Sequence, residues 1–144
     1  MEIGNHTANH PKLTSLSSSG VASEINSNAT YIENAIGIRP TIVRPPYGSY
    51  SSSTISAAGT PFILWSIDTL DWKTRNADST VNAVLSKVKD GDIILMHDLY
   101  SQTAAATERI VPALIERGFE LVTVSELAEL KGVTMGKKAY SSFK

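Results

Sequence analysis

Apolar residues follow two alternating patterns along the chain, one with helical spacing and one nearly continuous. Helical spacing, with apolar side chains three or four residues apart, predicts helices. They cover residues 21–35, 51–58, 78–88 and 104–117, and a last helix begins with Ser125 as its N-cap. Short apolar or β-branched runs predict strands, which cover residues 41–43, 62–67, 93–96 and 119–124. The chain is therefore expected to be an α/β protein.

Alternation of strands and helices predicts βα units with right-handed crossovers and mainly parallel strands. Polar side chains follow several strands directly. Arg44 follows the first strand, Asp68 the second, and His97 and Asp98 the third. In parallel α/β folds, function collects at the carboxyl ends of the strands, so these residues are the first candidates for a site.

Composition narrows the function classes. The chain has 144 residues, enough for one domain with a sizeable core, and 13 Lys and Arg against 14 Asp and Glu give a formal charge of −1. There is thus no basic excess that would favour nucleic acid. Cysteine is absent, which excludes disulfides, a thiol nucleophile and Cys-ligated metals. The apolar runs are far shorter than the roughly 20 residues of a membrane span.

Two histidines, His6 and His10, lie four residues apart. On one face of a helical turn, their imidazoles could converge on a metal ion. Pro11 favours a single turn that ends in a loop over a long helix. On spacing alone, two solvated histidines near a chain terminus are the more common case.

The segment Arg-Pro-Pro-Tyr-Gly at 44–48 is open to two interpretations. It could be no more than a rigid turn. Alternatively, the prolines stiffen a loop in which Arg44 holds a carboxylate and the Tyr47 backbone N–H stabilises an oxyanion.

Carboxylates and a histidine follow the next two strands. Asp68 could lie at the mouth of a site with Trp72 as an aromatic wall for a sugar, or the two could be a cap and a packing residue. Of the two nearby carboxylates, we assign Asp71 to a cap or turn and Asp68 to function. His97 becomes a candidate general acid if a carboxylate such as Asp68 favours its imidazolium form.

Together and in this order, the motifs at 6–10, 44–48, 68–72 and 95–98 resemble the polysaccharide deacetylase family, also called NodB-homology domains or carbohydrate esterase family 4. The resemblance extends from residue 2 to about residue 130. It implies a distorted (β/α)7-type barrel, here incomplete because the N-terminal strands are missing. Residues 1–132 would form the C-terminal part of that catalytic domain, and residues 133–144 a weakly ordered tail.

The resemblance also implies a role for each motif. The expected metal ligands are His6 and His10, with zinc as the metal and cobalt or nickel as alternatives. The expected catalytic residues are Arg44, which orients the base, Tyr47, whose N–H joins the oxyanion hole, Asp68, which tunes the general acid, and His97, the acid itself. Tyr47, Trp72 and Leu95 would line the substrate pocket. The expected reaction is hydrolysis of acetyl groups on an extracellular or cell-wall polysaccharide: N-acetylglucosamine in peptidoglycan or chitin, or O-acetyl xylan.

One family motif is missing. Thr-Phe-Asp-Asp-Gly, which supplies the catalytic base and the carboxylate metal ligand, precedes the histidines in the family and does not occur here. The chain could be a fragment, which we favour, or complete and impaired, or completed by another chain. We therefore expect weak metal binding and little activity from this chain alone, and an open sheet edge that could support self-association. Two other functions stay open: a non-catalytic carbohydrate-binding relative, and a plain βα domain.

Overall fold

The chain combines helices with short parallel strands, so the predicted α/β class is confirmed, although the elements do not strictly alternate. The computed structural model describes all residues, Met1–Lys144. The chain divides into two units. Unit 1 consists of Met1–Leu64 and Val133–Tyr140, and unit 2 of Trp65–Gly132 and Ser141–Lys144.

The regular elements are short apart from two long helices. The helices are α1 (Ser18–Ile36), α2 (Ser52–Ala58), α3 (Asp71–Thr74), α4 (Ala77–Leu85), α5 (Ser101–Glu116) and α6 (Val124–Leu130). The strands are β1 (Phe62–Ile63), β2 (Ile67–Asp68), β3 (Ile94–Leu95) and β4 (Ala139–Tyr140). Single 3₁₀ turns occupy Leu13–Ser15 and Pro46–Gly48. None of the helices combines the length and apolar character needed to cross a bilayer.

Unit 1 is built on a row of parallel pairings. Val43 bridges Asn5 on one side and Phe62 on the other, and β1 pairs with β4. The strand predicted at 41–43 is thus reduced to bridges at the single residue Val43, because the prolines that follow supply no ladder donors. Helix α1 covers this row with Val21 and Ile25, which pack in the core with Phe62.

The helix predicted at 21–35 begins earlier, at Ser18, and both α1 and α2 have capped ends. The Ser17 side chain caps α1, and Gly37 ends it in the left-handed conformation with φ +74°. Ser51 and Thr54 form a reciprocal capping box at the start of α2, and Gly59 ends that helix. These caps satisfy amides and carbonyls that lack partners within the helices.

Unit 2 pairs β2 with β3 in parallel, with Ile67 opposite Ile94. The predicted strand at 62–67 is therefore two strands, β1 and β2, that belong to different pairs. Helices α4 and α5 pack against each other through a core of Val84, Ala106, Ile110 and Leu114. Pro112 lies inside α5.

The predicted strand at 119–124 is wrong. These residues lead into α6, which begins at Val124 and is capped by Thr123 rather than Ser125. An apolar pattern indicates that a segment prefers burial, but it does not show that a neighbouring strand is available for hydrogen bonding, which a β-strand requires. No strand of this chain pairs with the segment.

The C-terminal segment is ordered, contrary to the prediction of a weakly ordered tail. Tyr140 in β4 is 7% exposed and Phe143 is 2% exposed. The Phe143 N–H donates to the Gly91 carbonyl at 2.9 Å, and Lys144 pairs with the Asp92 carboxylate at 2.7 Å. Gly91, with φ +82°, makes the turn that receives Phe143.

We predict that Gly91→Ala destabilises the chain more than Gly118→Ala. Both glycines have left-handed backbones, at φ +82° and +84°, so each substitution costs about 1–2 kcal/mol of conformational energy. Only at Gly91 would the new Cβ also meet an atom, the Phe143 oxygen at 1.9 Å. That clash adds about 1–3 kcal/mol. Urea unfolding of the two variants measures the difference, and equal losses would contradict the packing of Phe143 on Gly91.

Candidate active site

The two histidines of the first motif converge in unit 1. The ring centroids of His6 and His10 are 4.9 Å apart, and the ring planes meet at 78°. The intervening residues form no helical turn. Instead, the chain bends through Thr7 and His10, which have φ of 68° and 55°. A strained loop therefore brings the two imidazoles together, and not the helical turn that we predict from their spacing.

Arg44 contacts both ring nitrogens of His6. Nδ1 lies 2.5 Å from the Arg44 carbonyl oxygen, and Nε2 lies 2.8 Å from a guanidinium nitrogen of the same residue. Because a carbonyl can only accept, Nδ1 carries the proton and Nε2 presents its lone pair to the guanidinium. Burial lowers the pKa of the Arg44 guanidinium from its ordinary value.

Tyr47 lies edge-on to His10. Their ring centroids are 4.8 Å apart, and the phenol oxygen is 3.3 Å from His10 Nδ1. Tyr47 has φ 60° and is held in a turn in which Gly48 and Ser49 donate backbone hydrogen bonds to Pro45 and Pro46. A cavity of about 660 Å³ adjoins this contact. Its lining residues are His10, Pro11, Lys12, Tyr47 and Ser49.

The histidine pair fits a divalent metal in its donor chemistry. Imidazole nitrogen is a preferred zinc ligand, and histidines that bind metals usually donate the other ring N–H to a carbonyl or carboxylate. His6 has that arrangement, since its Nδ1 faces the Arg44 carbonyl. The chain nowhere groups three His, Asp or Glu side chains as a metal site. The pair could therefore supply at most two ligands, one fewer than the three protein ligands usual in a catalytic zinc site.

A second polar cluster, in unit 2, holds His97. The Asp71 carboxylate is 1% exposed, and its Oδ1 lies 2.8 Å from His97 Nδ1. Its Oδ2 accepts the His97 backbone N–H at 2.6 Å and the Thr103 hydroxyl at 2.8 Å. Burial raises the pKa of Asp71, but the hydrogen bonds from the His97 ring and amide, then from Thr103 and Trp72, outweigh it and lower that pKa.

The carboxylate that contacts His97 is therefore Asp71. The prediction that Asp68 contacts His97 is wrong. Asp68 accepts the Leu70 backbone N–H at 2.9 Å instead. Leu70 has φ 53° and turns the chain so that Asp71 begins α3 as a buried residue. Two acids three residues apart after a strand are both plausible partners, and the sequence holds no signal for this left-handed turn. Thr103 carries no sequence signal either.

The two predicted pocket-lining residues of unit 2 differ in exposure. Trp72, which follows Asp71 in α3, is 47% exposed and offers an aromatic surface. Leu95, in β3, is 7% exposed, so its side chain presents little surface. The Leu95 carbonyl accepts the buried Thr69 hydroxyl at 2.8 Å and fixes the start of the segment that leads to Asp71.

Left-handed backbone at residues other than glycine is confined to these two clusters. Such residues are Thr7, His10, Tyr47, Leu70 and Arg75. The first three lie in the histidine and Tyr47 loops, and the last two flank α3. Strain of this kind concentrates at functional sites, where the surrounding structure holds it in place. Four of these five residues lie within the motifs at 6–10, 44–48 and 68–72, and Arg75 lies just beyond the last of these.

The fold and these clusters define the class of protein. Residues 1–60 match the family described as polysaccharide deacetylase. A solved structure described as a T48 deacetylase with substrate is 38% identical, with a TM-score of 0.93 over 97% of this chain and 70% of that chain. The chain belongs to the polysaccharide deacetylase family.

Two further relatives are named for different substrates. Peptidoglycan-N-acetylmuramic acid deacetylase PdaC of Bacillus subtilis is 42% identical over 130 residues, which are 90% of this chain and 28% of the relative. The family 4 acetyl xylan esterase of Clostridium thermocellum, solved in complex with a cobalt ion, is 32% identical. Its TM-score is 0.92 over 98% of this chain and 72% of that chain. The chain thus spans under a third of the length of the curated relative PdaC.

We predict that Asp71→Asn perturbs His97 and destabilises the chain, whereas Asp68→Asn does neither. A charged hydrogen bond to a buried acceptor is worth about 2 kcal/mol, and Asp71 alone accepts such bonds from His97. Urea unfolding gives the stability loss, and ¹⁵N NMR of the imidazole gives the effect on the ring. An Asp68→Asn variant that moves the His97 signals as much as Asp71→Asn would contradict the pairing.

The stability difference at Asp71 should also depend on pH. The lowered pKa of folded Asp71 means that its ionised form stabilises the folded state at pH values above the ordinary Asp pKa. That contribution is lost as pH falls through the lowered pKa. The gap between the wild-type chain and Asp71→Asn should therefore be full at pH 7 and shrink in strong acid, in the same unfolding assay.

Proposed function

We propose that the protein containing this chain is a hydrolase that removes acetyl groups from a cell-wall polysaccharide. The observation that carries the proposal is the buried Asp71 carboxylate on the His97 ring, at 2.8 Å. A His97 side chain that is 24% exposed, with one nitrogen tied to a buried acid, is suited to proton transfer. Family membership supports the choice of acetyl groups on a glycan.

His97 would act as the general acid. Hydrolysis of an acetamide breaks the carbon–nitrogen bond, and the departing nitrogen needs a proton. Asp71 accepts the hydrogen bond from Nδ1–H of His97. Nε2 is therefore the atom that would deliver the proton to the leaving nitrogen. The Asp71 carboxylate lies 2.8 Å from Nδ1 of the ring that must carry this proton. Asp68, which we first assigned this tuning role, would then support the turn before α3.

His6 and His10 would be two ligands of a divalent metal, with zinc as the leading candidate and cobalt or nickel as alternatives. When bound, such a metal supplies Lewis acidity to an acyl carbonyl and activates water. His6 would use Nε2, because Nδ1 is committed to the Arg44 carbonyl. A third ligand and the catalytic base are expected from a segment with the family's Thr-Phe-Asp-Asp-Gly motif.

Arg44 and Tyr47 would assist the same reaction. We assign the Arg44 guanidinium to orienting the base carboxylate, a role suited to its paired N–H donors. The Tyr47 N–H would stabilise the oxyanion, since its left-handed turn fixes the direction of the donor before substrate arrives.

The proposed substrate is an N-acetylated glycan of the cell wall, acted on outside the cell. The 42% identity to the Bacillus subtilis peptidoglycan deacetylase favours this choice over O-acetyl xylan and chitin. Exposed aromatic faces suit sugar rings, and Tyr47 and Trp72 are 68% and 47% exposed. Leu95, which is 7% exposed, would contribute apolar packing within unit 2.

We predict that acetate release depends on His97. Peptidoglycan fragments, chitin oligomers and acetylated xylan are offered with zinc or cobalt to this chain and to the chain preceded by the corresponding upstream segment of the Bacillus subtilis relative. We expect little acetate from the chain alone and clear release from the extended chain. His97→Ala should lower that release by roughly 10²–10⁴-fold, the usual worth of a general acid.

Asp68→Asn is the matched control and should retain most of the activity. Release from xylan alone would overturn the preference for N-acetylated glycans. The absence of release from every substrate by the extended chain, or release indifferent to His97, would overturn the deacetylase proposal.

A further inference from the structure

Side-chain oxygens accept the backbone amides of residues 7–10 in the histidine loop, defined here as residues 6–10. Four consecutive backbone N–H groups, from Thr7 to His10, each donate to a side chain. Thr7 donates to Asn5 at 2.9 Å, and His10 donates to the Thr7 hydroxyl at 3.0 Å. Ala8 and Asn9 donate to one oxygen of Glu24, at 3.1 and 2.9 Å. Glu24 is the one acceptor that comes from a distant element, helix α1.

Both carboxylate oxygens of Glu24 accept hydrogen bonds from the histidine loop. Oε2 receives the two backbone N–H groups, and Oε1 receives the Asn9 side-chain amide at 2.8 Å. The hydrogen bond from the Asn9 side chain lowers the pKa of Glu24, and the two loop amides add to this effect against slight desolvation. Bonds to an ionised acceptor are about twice as strong as neutral ones.

The histidines need such a restraint because the loop is strained. Thr7 and His10 both adopt left-handed backbone, at φ 68° and 55°. Each residue in that region costs about 1–2 kcal/mol and persists only when other contacts hold it. Glu24 accepts the backbone N–H groups of Ala8 and Asn9, the two residues that lie between Thr7 and His10. Without it, the loop can relax and the His6 and His10 rings can move apart.

We propose that Glu24 is a positioning residue for the histidine pair: its carboxylate holds the loop in the bent form that points both imidazoles at one ligand. This inference rests on the proposed role of His6 and His10 as metal ligands. Two ligands already held together bind a cation more tightly than two that must be ordered on binding.

The first test compares Glu24→Ala with Glu33→Ala. Glu33 also lies on α1, and its ion pair with Arg39, at 2.8 Å, is exposed. It therefore controls for the loss of a carboxylate from the helix. The 144-residue variants are titrated with Co²⁺, and visible absorption reports coordination by histidine. We expect Glu24→Ala to weaken Co²⁺ affinity by about 10–100-fold, and Glu33→Ala by less than about twofold.

A second test needs no metal. Hydrogen exchange of the Ala8 and Asn9 amides measures whether Glu24 holds the loop, and both amides should be protected in the wild-type chain and exposed in Glu24→Ala. Glu24→Gln keeps the shape and one acceptor oxygen and should restore part of the protection. That variant answers the question if Glu24→Ala does not fold.

The outcomes separate the two proposals. The positioning role of Glu24 would be overturned if Glu24→Ala left the hydrogen exchange of the Ala8 and Asn9 amides unchanged. It would also be overturned if Glu24→Ala and the wild-type chain bound Co²⁺ with equal affinity. A wild-type chain that shows no histidine-bound Co²⁺ spectrum, while exchange responds to Glu24→Ala, would overturn the metal role and leave Glu24 as the residue that shapes the loop.

Discussion

One buried amide, that of Asn5, organises unit 1. Asn5 is 2% exposed, and its side chain donates to the Ile25 carbonyl of α1 and accepts the Thr7 N–H of the histidine loop. Its backbone donates to Ile42 and accepts from Arg44. A buried amide with unmet hydrogen bonds is costly, so helix, strand row and loop are each fixed relative to this residue. The contacts between Arg44 and His6 follow from that placement.

In unit 2, a buried polar side chain likewise fixes the position of a histidine, His97. Asp71 is buried, and it accepts from the His97 backbone, the His97 ring and Thr103. In both units, acidic or amide side chains bind loop amides that regular structure leaves unpaired. The histidines are thereby held on irregular backbone that would otherwise be mobile. Polar burial, more than apolar packing, determines where these imidazoles point.

Local signals in the sequence predicted the helices well, because Ser51 and the glycines at 37 and 59 act on their immediate neighbours. The parallel α/β fold was also predictable from the alternation of apolar strand and helix patterns, and the family from the order of the motifs. What failed depends on contacts that are distant in sequence. The segment at 119–124 is apolar but has no strand beside it, and the burial of Phe143 depends on the turn at Gly91. The partner of His97 was misassigned because the left-handed turn at Leu70 selects Asp71 over Asp68.

The contact between Arg44 and His6 has a consequence for ligand exchange. Nε2 of His6, 2.8 Å from the guanidinium, already faces a positive group that the chain itself provides. A cation bound at this nitrogen would therefore have to displace the guanidinium, and its affinity would be the difference between two interactions. Arg44 would compete with the cation until a carboxylate paired with Arg44 instead. An acid supplied to Arg44 from elsewhere would raise cation affinity at His6 without touching the histidine, so occupancy of one would be thermodynamically linked to the other.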